Sequence, residues 1–157
     1  MVGRLRGWDY RSPGAYLVTA CTHRRRPIFG EVVGETVVLS ELGRAAVEAL
    51  ETTAQRHHGV LVGAFVVMPD HIHAVIEIGL DEAPTGSLSH LVREVKARVT
   101  MAARVAEAAG PQEPLWQRGY HDRIIRSDAE RAALLAYIAE NPLRWTLREA
   151  AGRSAST

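Results

Sequence analysis

VLVGAFVVMPDHIHAVIEI, residues 60–78, contains two apolar runs joined by Pro69-Asp70. Both runs are rich in β-branched residues, so residues 60–67 and 71–78 are predicted to be strands. Proline followed by aspartate favours a tight turn, and Asp70 is interpreted as a turn residue or as a partner of a neighbouring histidine. The sequence therefore predicts a β-hairpin in the middle of the chain.

Two histidines, His71 and His73, flank Ile72 at the start of the second predicted strand. Because side chains alternate along a strand, both imidazoles would share one face with their Cβ atoms about 7 Å apart, close enough to bind one metal ion. Histidines at this spacing also occur on ordinary strand surfaces. Tyr137 and Asn141 lie i, i+4 on a predicted helix and would add a phenol and an amide oxygen. These four side chains are a suitable set for metal-assisted attack on a phosphate.

The remaining pattern predicts an α+β fold. Working outward from the hairpin, we expect a strand at 15–22, helices from Ser40 to about His57 and from Ser87 to about Ala108, a strand at 120–126 and a final helix from about Ser127. This order predicts a ferredoxin-like βαββαβ arrangement: a four-stranded antiparallel sheet, two helices on one face, and a C-terminal helix that carries the tyrosine. Pro142 is expected to end that helix near Glu140. His57 and His58 are interpreted as structural residues at the negative end of their helix.

Composition sets broad limits on the class of protein. The chain has 157 residues, 46% of them apolar and 24% charged, which predicts one globular domain over residues 1–150 and a frayed tail at 151–157. Cys21 is the only cysteine, so no disulfide can form within the chain, which fits a reducing compartment. The opening residues do not resemble a signal peptide, and no apolar run approaches the ~20 residues of a membrane span. We therefore expect a cytoplasmic protein with no membrane partner.

Positive charge is concentrated toward the two ends of the chain, although the formal net charge is only +1. Such basic segments could bind a polyanion, but a composition rich in arginine would produce them as well. The candidate DNA-binding residues lie in the loop after the first strand, along the polar side of the long helix and in the fourth strand. They are Arg24, Arg25, Arg26, Arg93, Lys96, Arg104, Arg123 and Arg126.

VMPDHIH, residues 67–73, resembles the HUH motif (histidine, bulky apolar residue, histidine) of single-tyrosine transposases, in particular the branch of REP-associated tyrosine transposases. Four further stretches are similar to that family in the same order. They are YLVTACTHRRRPIF at 16–29, SHLVREVKARVT at 89–100, WQRGYHDRIIR at 116–126 and YIAENP at 137–142. The resemblance covers residues 14–145.

The resemblance implies a metal-dependent endonuclease and strand transferase that acts on single-stranded, hairpin or palindromic DNA. Tyr137 would be the nucleophile that forms a 5′-phosphotyrosine link and frees a 3′-hydroxyl. His71, His73 and Asn141 would be the metal ligands. We expect Mg²⁺ or Mn²⁺, while the histidines would also suit Zn²⁺. The protein would be a monomer or a homodimer.

Two functions of other classes remain open. The chain could be a DNA-binding module without cleavage activity, but a binder needs none of the four candidate side chains. It could instead be a histidine-based phosphohydrolase of a small nucleotide, with Tyr137 in a structural role. Taken alone, Asn141 before Pro142 could be only a helix cap. Such a phosphohydrolase would be expected to carry a glycine-rich phosphate loop or a third nearby histidine, and the sequence shows neither.

Overall fold

The computed structural model describes residues 13–80, 83–107 and 113–155. These residues form six strands and three α-helices. The strands are β1 (Gly14–Cys21), β2 (Gly30–Val33), β3 (Thr36–Leu39), β4 (Val60–Met68), β5 (His71–Ile78) and β6 (His121–Ile125). The helices are α1 (Glu41–Arg56), α2 (Leu88–Glu107) and α3 (Asp128–Ala155). None of these helices combines the length and the apolarity that crossing a membrane requires.

The main sheet has four strands in the order β4-β5-β1-β6, and all neighbouring pairs are antiparallel. This is the sheet of the predicted ferredoxin-like arrangement, which is confirmed. The central position of β5 fixes the histidine pair on a rigid element, because β5 is hydrogen-bonded on both edges. Its register with β1 places His71 opposite Cys21 and His73 opposite Thr19.

One face of the sheet carries α1 and α2 over the main hydrophobic core. Alternate residues of the central strands, among them Tyr16, Val18, Ile72, Ala74 and Ile76, pack against the apolar sides of both helices. The Ser40 side chain caps α1 by accepting a hydrogen bond from the Gly43 amide at 3.0 Å. The even-numbered side chains of β5 therefore face this core, and the odd-numbered ones face the other side.

The opposite face of the sheet carries α3 over a smaller core. Leu17 and Val75 pack there against Leu134 and Ile138. The first turns of α3 are fixed by ion pairs to two strands, from Glu130 to Arg123 on β6 and from Arg131 to Glu77 on β5. This arrangement lays α3 across the face that bears His71 and His73.

The expected end of the last helix was wrong, because α3 continues through Pro142 to Ala155. Proline has no amide hydrogen for the Ile138 carbonyl, which weakens a helix locally. Contacts of the following turn offset this loss: the Trp145 ring stacks on His71 with centroids 6.5 Å apart, and the Thr146 hydroxyl donates to the Gly34 carbonyl at 2.7 Å. Tertiary contacts thus stabilise the helix beyond Pro142, where local sequence preference predicts its end.

A second, two-stranded sheet was not expected from the sequence. Strands β2 and β3 pair antiparallel around a two-residue turn at Gly34-Glu35. Gly34 has φ +64°, the conformation that glycine adopts without strain in such turns. The pattern VVGETVV at 32–38, a glycine-led turn between two valine pairs, is the signal that could have revealed this hairpin.

Candidate active site

His71 and His73 lie side by side at the start of β5. Both side chains are buried, and the centroids of their rings are 4.6 Å apart. His71 uses Nδ1 for a 2.6 Å hydrogen bond to Oδ1 of Asp70, and His73 uses Nδ1 for a 2.8 Å hydrogen bond with the Thr19 hydroxyl. Since Nδ1 is engaged in both rings, Nε2 is the nitrogen that each histidine can offer to a ligand.

The carboxylate of Asp70 is in turn fixed by Arg25. Asp70 is 6% exposed, and its Oδ2 lies 3.0 Å from Nε of Arg25. Burial alone raises the pKa of this carboxyl, but its hydrogen bond and charge interaction with His71 and the charge of Arg25 outweigh that effect, so the net pKa lies below its ordinary value. Arg24 and Arg25 have φ values of 55° and 54°, which is strained for residues other than glycine. This strained turn brings Arg25 back onto Asp70.

Burial also determines the protonation of His73. Desolvation, together with the neighbouring His71 and the charges of Arg25 and Arg148, lowers the pKa of His73 to about 4. The imidazole is therefore neutral at physiological pH, and the neutral imidazole is the form that can bind a metal ion.

Tyr137 and Asn141 reach the histidine pair from α3. The Tyr137 ring meets the His73 ring edge to face, with centroids 5.4 Å apart. Asn141 is 1% exposed, and its Nδ2 donates to the Tyr137 carbonyl at 2.8 Å, which leaves Oδ1 as the oxygen available to a ligand. The structure thus brings together the four side chains singled out in the sequence, which we call the paired-histidine site.

Three further residues of α3 lie at this site and were missed from the sequence. The guanidinium of Arg144 sits over the Tyr137 ring, 5.4 Å from its centroid, and ion-pairs with Glu140 at 3.0 Å. Trp145 covers His71, and Arg148 is near enough to lower the pKa of His73. They were overlooked because the helix was expected to end before them.

The basic residues expected to bind DNA are divided between the two faces of the sheet. Arg123 pairs across the strands with Leu17, which packs under α3, so Arg123 lies on the same face as the histidines. Arg93, Lys96 and Arg104 belong to α2 on the other face. The sequence-based prediction assigned these residues to one DNA-binding surface, but the fold places them on opposite faces of the sheet.

Several of these basic side chains already bind groups of the protein. Nζ of Lys96 donates to the carbonyls of Gln117 at 2.9 Å and Gly119 at 2.6 Å, and burial lowers its pKa. Arg26 donates to the Pro114 carbonyl at 3.2 Å, while Arg24 and Arg126 are exposed. Lys96 in particular has a structural role, since it ties α2 to the segment that leads into β6.

The donor set of the paired-histidine site fits a divalent cation. Each imidazole is held by a hydrogen bond at Nδ1. Asn141 lies on α3 one turn from Tyr137, which meets the His73 ring, and one turn from Trp145, which stacks on the His71 ring. Three protein ligands of this kind leave positions for water or a substrate oxygen, which suits Mn²⁺ or Mg²⁺ and also Zn²⁺.

Comparisons with known proteins find chains of similar sequence and similar fold. An uncharacterized protein of Haemophilus influenzae is 29% identical over 160 residues, which cover 90% of this chain and 87% of that protein. A REP-associated tyrosine transposase, solved bound to a REP hairpin, superposes with a TM-score of 0.66 at 19% identity over 92% of this chain and 74% of its own. A candidate transposase from Deinococcus radiodurans superposes with a TM-score of 0.55 at 19% identity over 87% of this chain and 95% of its own.

At this level of identity the two structural matches show the shared fold. The assignment to a family comes from the sequence, because the model of the family described as "Transposase IS200 like" matches residues 13–141. The chain therefore belongs to the IS200-like transposases and has a transposase-like, DNA-processing function.

Proposed function

We propose that the protein is a metal-dependent single-stranded DNA endonuclease and strand transferase whose nucleophile is Tyr137. The observation that carries this proposal is the contact between the Tyr137 and His73 rings, with centroids 5.4 Å apart. It places the only phenol of α3 against a buried pair of imidazoles with matching free nitrogens. A purely structural tyrosine would not need such a neighbourhood.

In this proposal His71, His73 and Asn141 hold a divalent cation through Nε2, Nε2 and Oδ1. Asp70 and Thr19 orient the two rings through their Nδ1 atoms at 2.6 and 2.8 Å. When bound, the cation would polarise the scissile phosphate and offset the negative charge of the transition state.

The reaction is a transesterification. Oη of Tyr137 attacks phosphorus, the bond from phosphorus to the 3′ oxygen breaks, and a 5′-phosphotyrosine and a 3′-hydroxyl result. The phenolic proton passes to solvent, and the departing 3′ oxygen takes one from solvent. Because one phosphoester bond replaces another, the reverse step can rejoin strands without a nucleoside triphosphate. Arg144 holds the Tyr137 ring in place by stacking its guanidinium on it.

We propose that the DNA is single-stranded or a hairpin and lies on the α3 face of the sheet, beside the paired-histidine site. Two arginines border this side of the molecule: Arg123 on β6 and Arg148 on α3. A REP hairpin is the DNA bound in one structure of the same fold, which supports a hairpin as the first substrate to test.

The test is capture of the covalent intermediate. The protein is incubated with single-stranded hairpin DNA and Mg²⁺ or Mn²⁺, and a protein–DNA adduct is resolved on a denaturing gel. Tyr137→Phe keeps the ring and removes only the hydroxyl, so it should still bind the DNA but form no adduct. EDTA and His73→Ala should abolish the adduct as well.

The matched control is Tyr120→Phe. Tyr120 packs against the core under α1 and α2, and its hydroxyl bonds to Ser89 at 2.9 Å, so it lies on the other face of the sheet. This variant should form the adduct at the rate of the wild type. An adduct that persists in Tyr137→Phe would mean that another residue is the nucleophile. Hairpin binding by the wild type with no adduct in either metal would instead identify a DNA-binding protein that does not cleave.

A further inference from the structure

A second group of side chains with closely spaced potential ligand atoms lies at the other end of the sheet. His57 follows α1, and His90 and Glu94 lie one turn apart on α2; one ligand atom from each lies within 4.8 Å of the other two. His57 comes three residues before Val60, which pairs with Ile78 at the far end of β5. At roughly 3.3 Å per residue, the length of β5 places about 23 Å between that end and His71. We call His57, His90 and Glu94 the α1–α2 cluster.

His57 is the centre of this cluster. Its Nε2 lies 2.6 Å from Oε2 of Glu94, and its Nδ1 lies 3.3 Å from the hydroxyl of Thr85. The His90 ring approaches the His57 ring edge to face, with centroids 5.5 Å apart. The side chain of His57 is only 12% exposed. Its orientation is therefore fixed, and the hydrogen bond at Nδ1 is of the kind that orients a histidine whose Nε2 binds a metal ion.

The carboxylate of Glu94 is held in place by Arg98. Arg98 binds Oε1 through two nitrogens at 3.0 and 3.1 Å and leaves Oε2 directed at His57. Arg56 is looser, at 3.6 Å with 65% of its side chain exposed, so it can turn into solvent when a cation binds.

Gly86 gives independent support for close packing around the two histidines. A Cβ atom at this position would lie 3.1 Å from Cδ2 of His90 and 3.8 Å from Nδ1 of His57. The backbone of Gly86 is not in the left-handed region, so its conformation does not call for glycine. What the glycine provides is room for the loop before α2 to lie directly against both imidazoles.

We propose that the α1–α2 cluster is a zinc-binding site that is separate from the paired-histidine site. Nε2 of His57, one ring nitrogen of His90 and Oε2 of Glu94 would bind the ion, and water would take the fourth position. Two imidazoles and a carboxylate favour Zn²⁺ over Mg²⁺. When the ion binds Nε2, the ring proton that lay between His57 and Glu94 moves to Nδ1, which donates to the Thr85 hydroxyl, so the bound imidazole stays neutral. Bound zinc joins the end of α1 to the first turns of α2 and has a structural role.

The experiment is a titration of chelator-treated protein with Zn²⁺ by calorimetry, followed by thermal unfolding. His73→Ala serves as the background in which the paired-histidine site is disabled. This variant should bind one equivalent of Zn²⁺ and unfold at a higher temperature with the ion. Adding His90→Ala should weaken that binding at least tenfold and remove the thermal shift. Adding His58→Ala, an exposed neighbouring histidine outside the cluster, should change neither quantity.

Zinc binding that survives His90→Ala would overturn the proposal. Failure of the His73→Ala protein to bind Zn²⁺ would overturn it too, and the cluster would then be a hydrogen-bonded clamp only. If His73→Ala does not fold, zinc stoichiometry is compared between the wild type and the single variant His90→Ala. The proposal predicts that His90→Ala binds one equivalent of zinc fewer than the wild type. His90→Ala should still form the DNA adduct, so this test and the test of Tyr137 can fail separately.

Discussion

Thr19 and Asp70 determine which nitrogen each histidine of the paired-histidine site presents. A neutral imidazole carries its proton on one nitrogen only. The Asp70 carboxylate can only accept, so it fixes the proton of His71 on Nδ1, and the Thr19 hydroxyl fixes the ring angle of His73. Thr19 reaches His73 from the neighbouring strand, and Asp70 reaches His71 from the preceding turn. Without these bonds the two rings would be able to rotate about their side-chain bonds, and their Nε2 atoms would have no fixed direction.

Thr19→Val tests this role, because valine keeps the shape of threonine and removes the hydroxyl that bonds to His73. Loss of such a supporting hydrogen bond typically weakens metal binding by about 10- to 100-fold. We therefore expect the Mn²⁺ concentration needed for half-maximal adduct formation to rise by that factor. Thr100→Val is the control, since the Thr100 hydroxyl bonds only to the Lys96 carbonyl within α2. An unchanged Mn²⁺ requirement in Thr19→Val would contradict the assigned role.

The residues of this site differ in how far the sequence could reveal them. His71 and His73 are related by strand alternation, and Tyr137 and Asn141 by helical spacing. Each pair could therefore be recognised from a short stretch of sequence. The link between the pairs came from the resemblance to a family. Thr19 was not identified, because its contact with His73 spans 54 residues and depends on the pairing of β1 with β5. No local pattern carries that information.

Among the secondary-structure elements, α3 shows most clearly where local preference fails. The rule that proline disfavours a helical residue before it put the end of the helix at Glu140. The helix continues because Trp145 and Thr146 make contacts with β5 and with the β2–β3 hairpin. The hairpin had itself been missed, so the partner that stabilises the second half of α3 was absent from the sequence-based prediction. Missing the β2–β3 hairpin thus led to a predicted α3 that was too short.

Replacing glycine with alanine should have opposite effects on the free energy of unfolding at one position in α1 and one in α3. Gly43 lies in the first turn of α1, where a Cβ atom would come within 2.1 Å of the Phe29 carbonyl oxygen. Gly152 lies in α3 with nothing within 4 Å of a Cβ. Alanine is the better helix former by about 0.5–1 kcal/mol, so Gly152→Ala should raise the free energy of unfolding by roughly 0.5 kcal/mol. Gly43→Ala should lower it by several times that amount.

Urea unfolding followed by circular dichroism measures both changes. Each variant serves as the control of the other, since the chemical substitution is the same and only the surroundings differ. A stabilising Gly43→Ala would show that α1 can move away from the Phe29 carbonyl, and the close packing of α1 against the segment before β2 would then not be required.

The whole molecule is divided by its sheet into a structural side and a candidate DNA side. The main core with α1 and α2 occupies one face, and the paired-histidine site with α3 occupies the other. The long helix α2 presents exposed arginines on its outer surface, but they lie across the sheet from Tyr137. Lys96, the third predicted DNA-binding residue of that helix, is engaged by two backbone carbonyls. A strand held at Tyr137 is therefore expected to run over β1, β6 and α3.

Salt dependence distinguishes the two faces. Each arginine that neutralises a phosphate of a single strand contributes about 0.7 to the slope of log affinity against log salt concentration. Replacing Arg123 and Arg148 with alanine should weaken hairpin binding and lower that slope by about 1 to 1.5. The same replacement of Arg93 and Arg104 removes an equal charge from the α2 face and should leave the slope nearly unchanged. Fluorescence anisotropy with a labelled hairpin at several salt concentrations measures both. If the α2 pair lowers the slope and the other pair does not, the DNA crosses the opposite face of the sheet, and a strand held there could not reach Tyr137 without passing around an edge of the sheet.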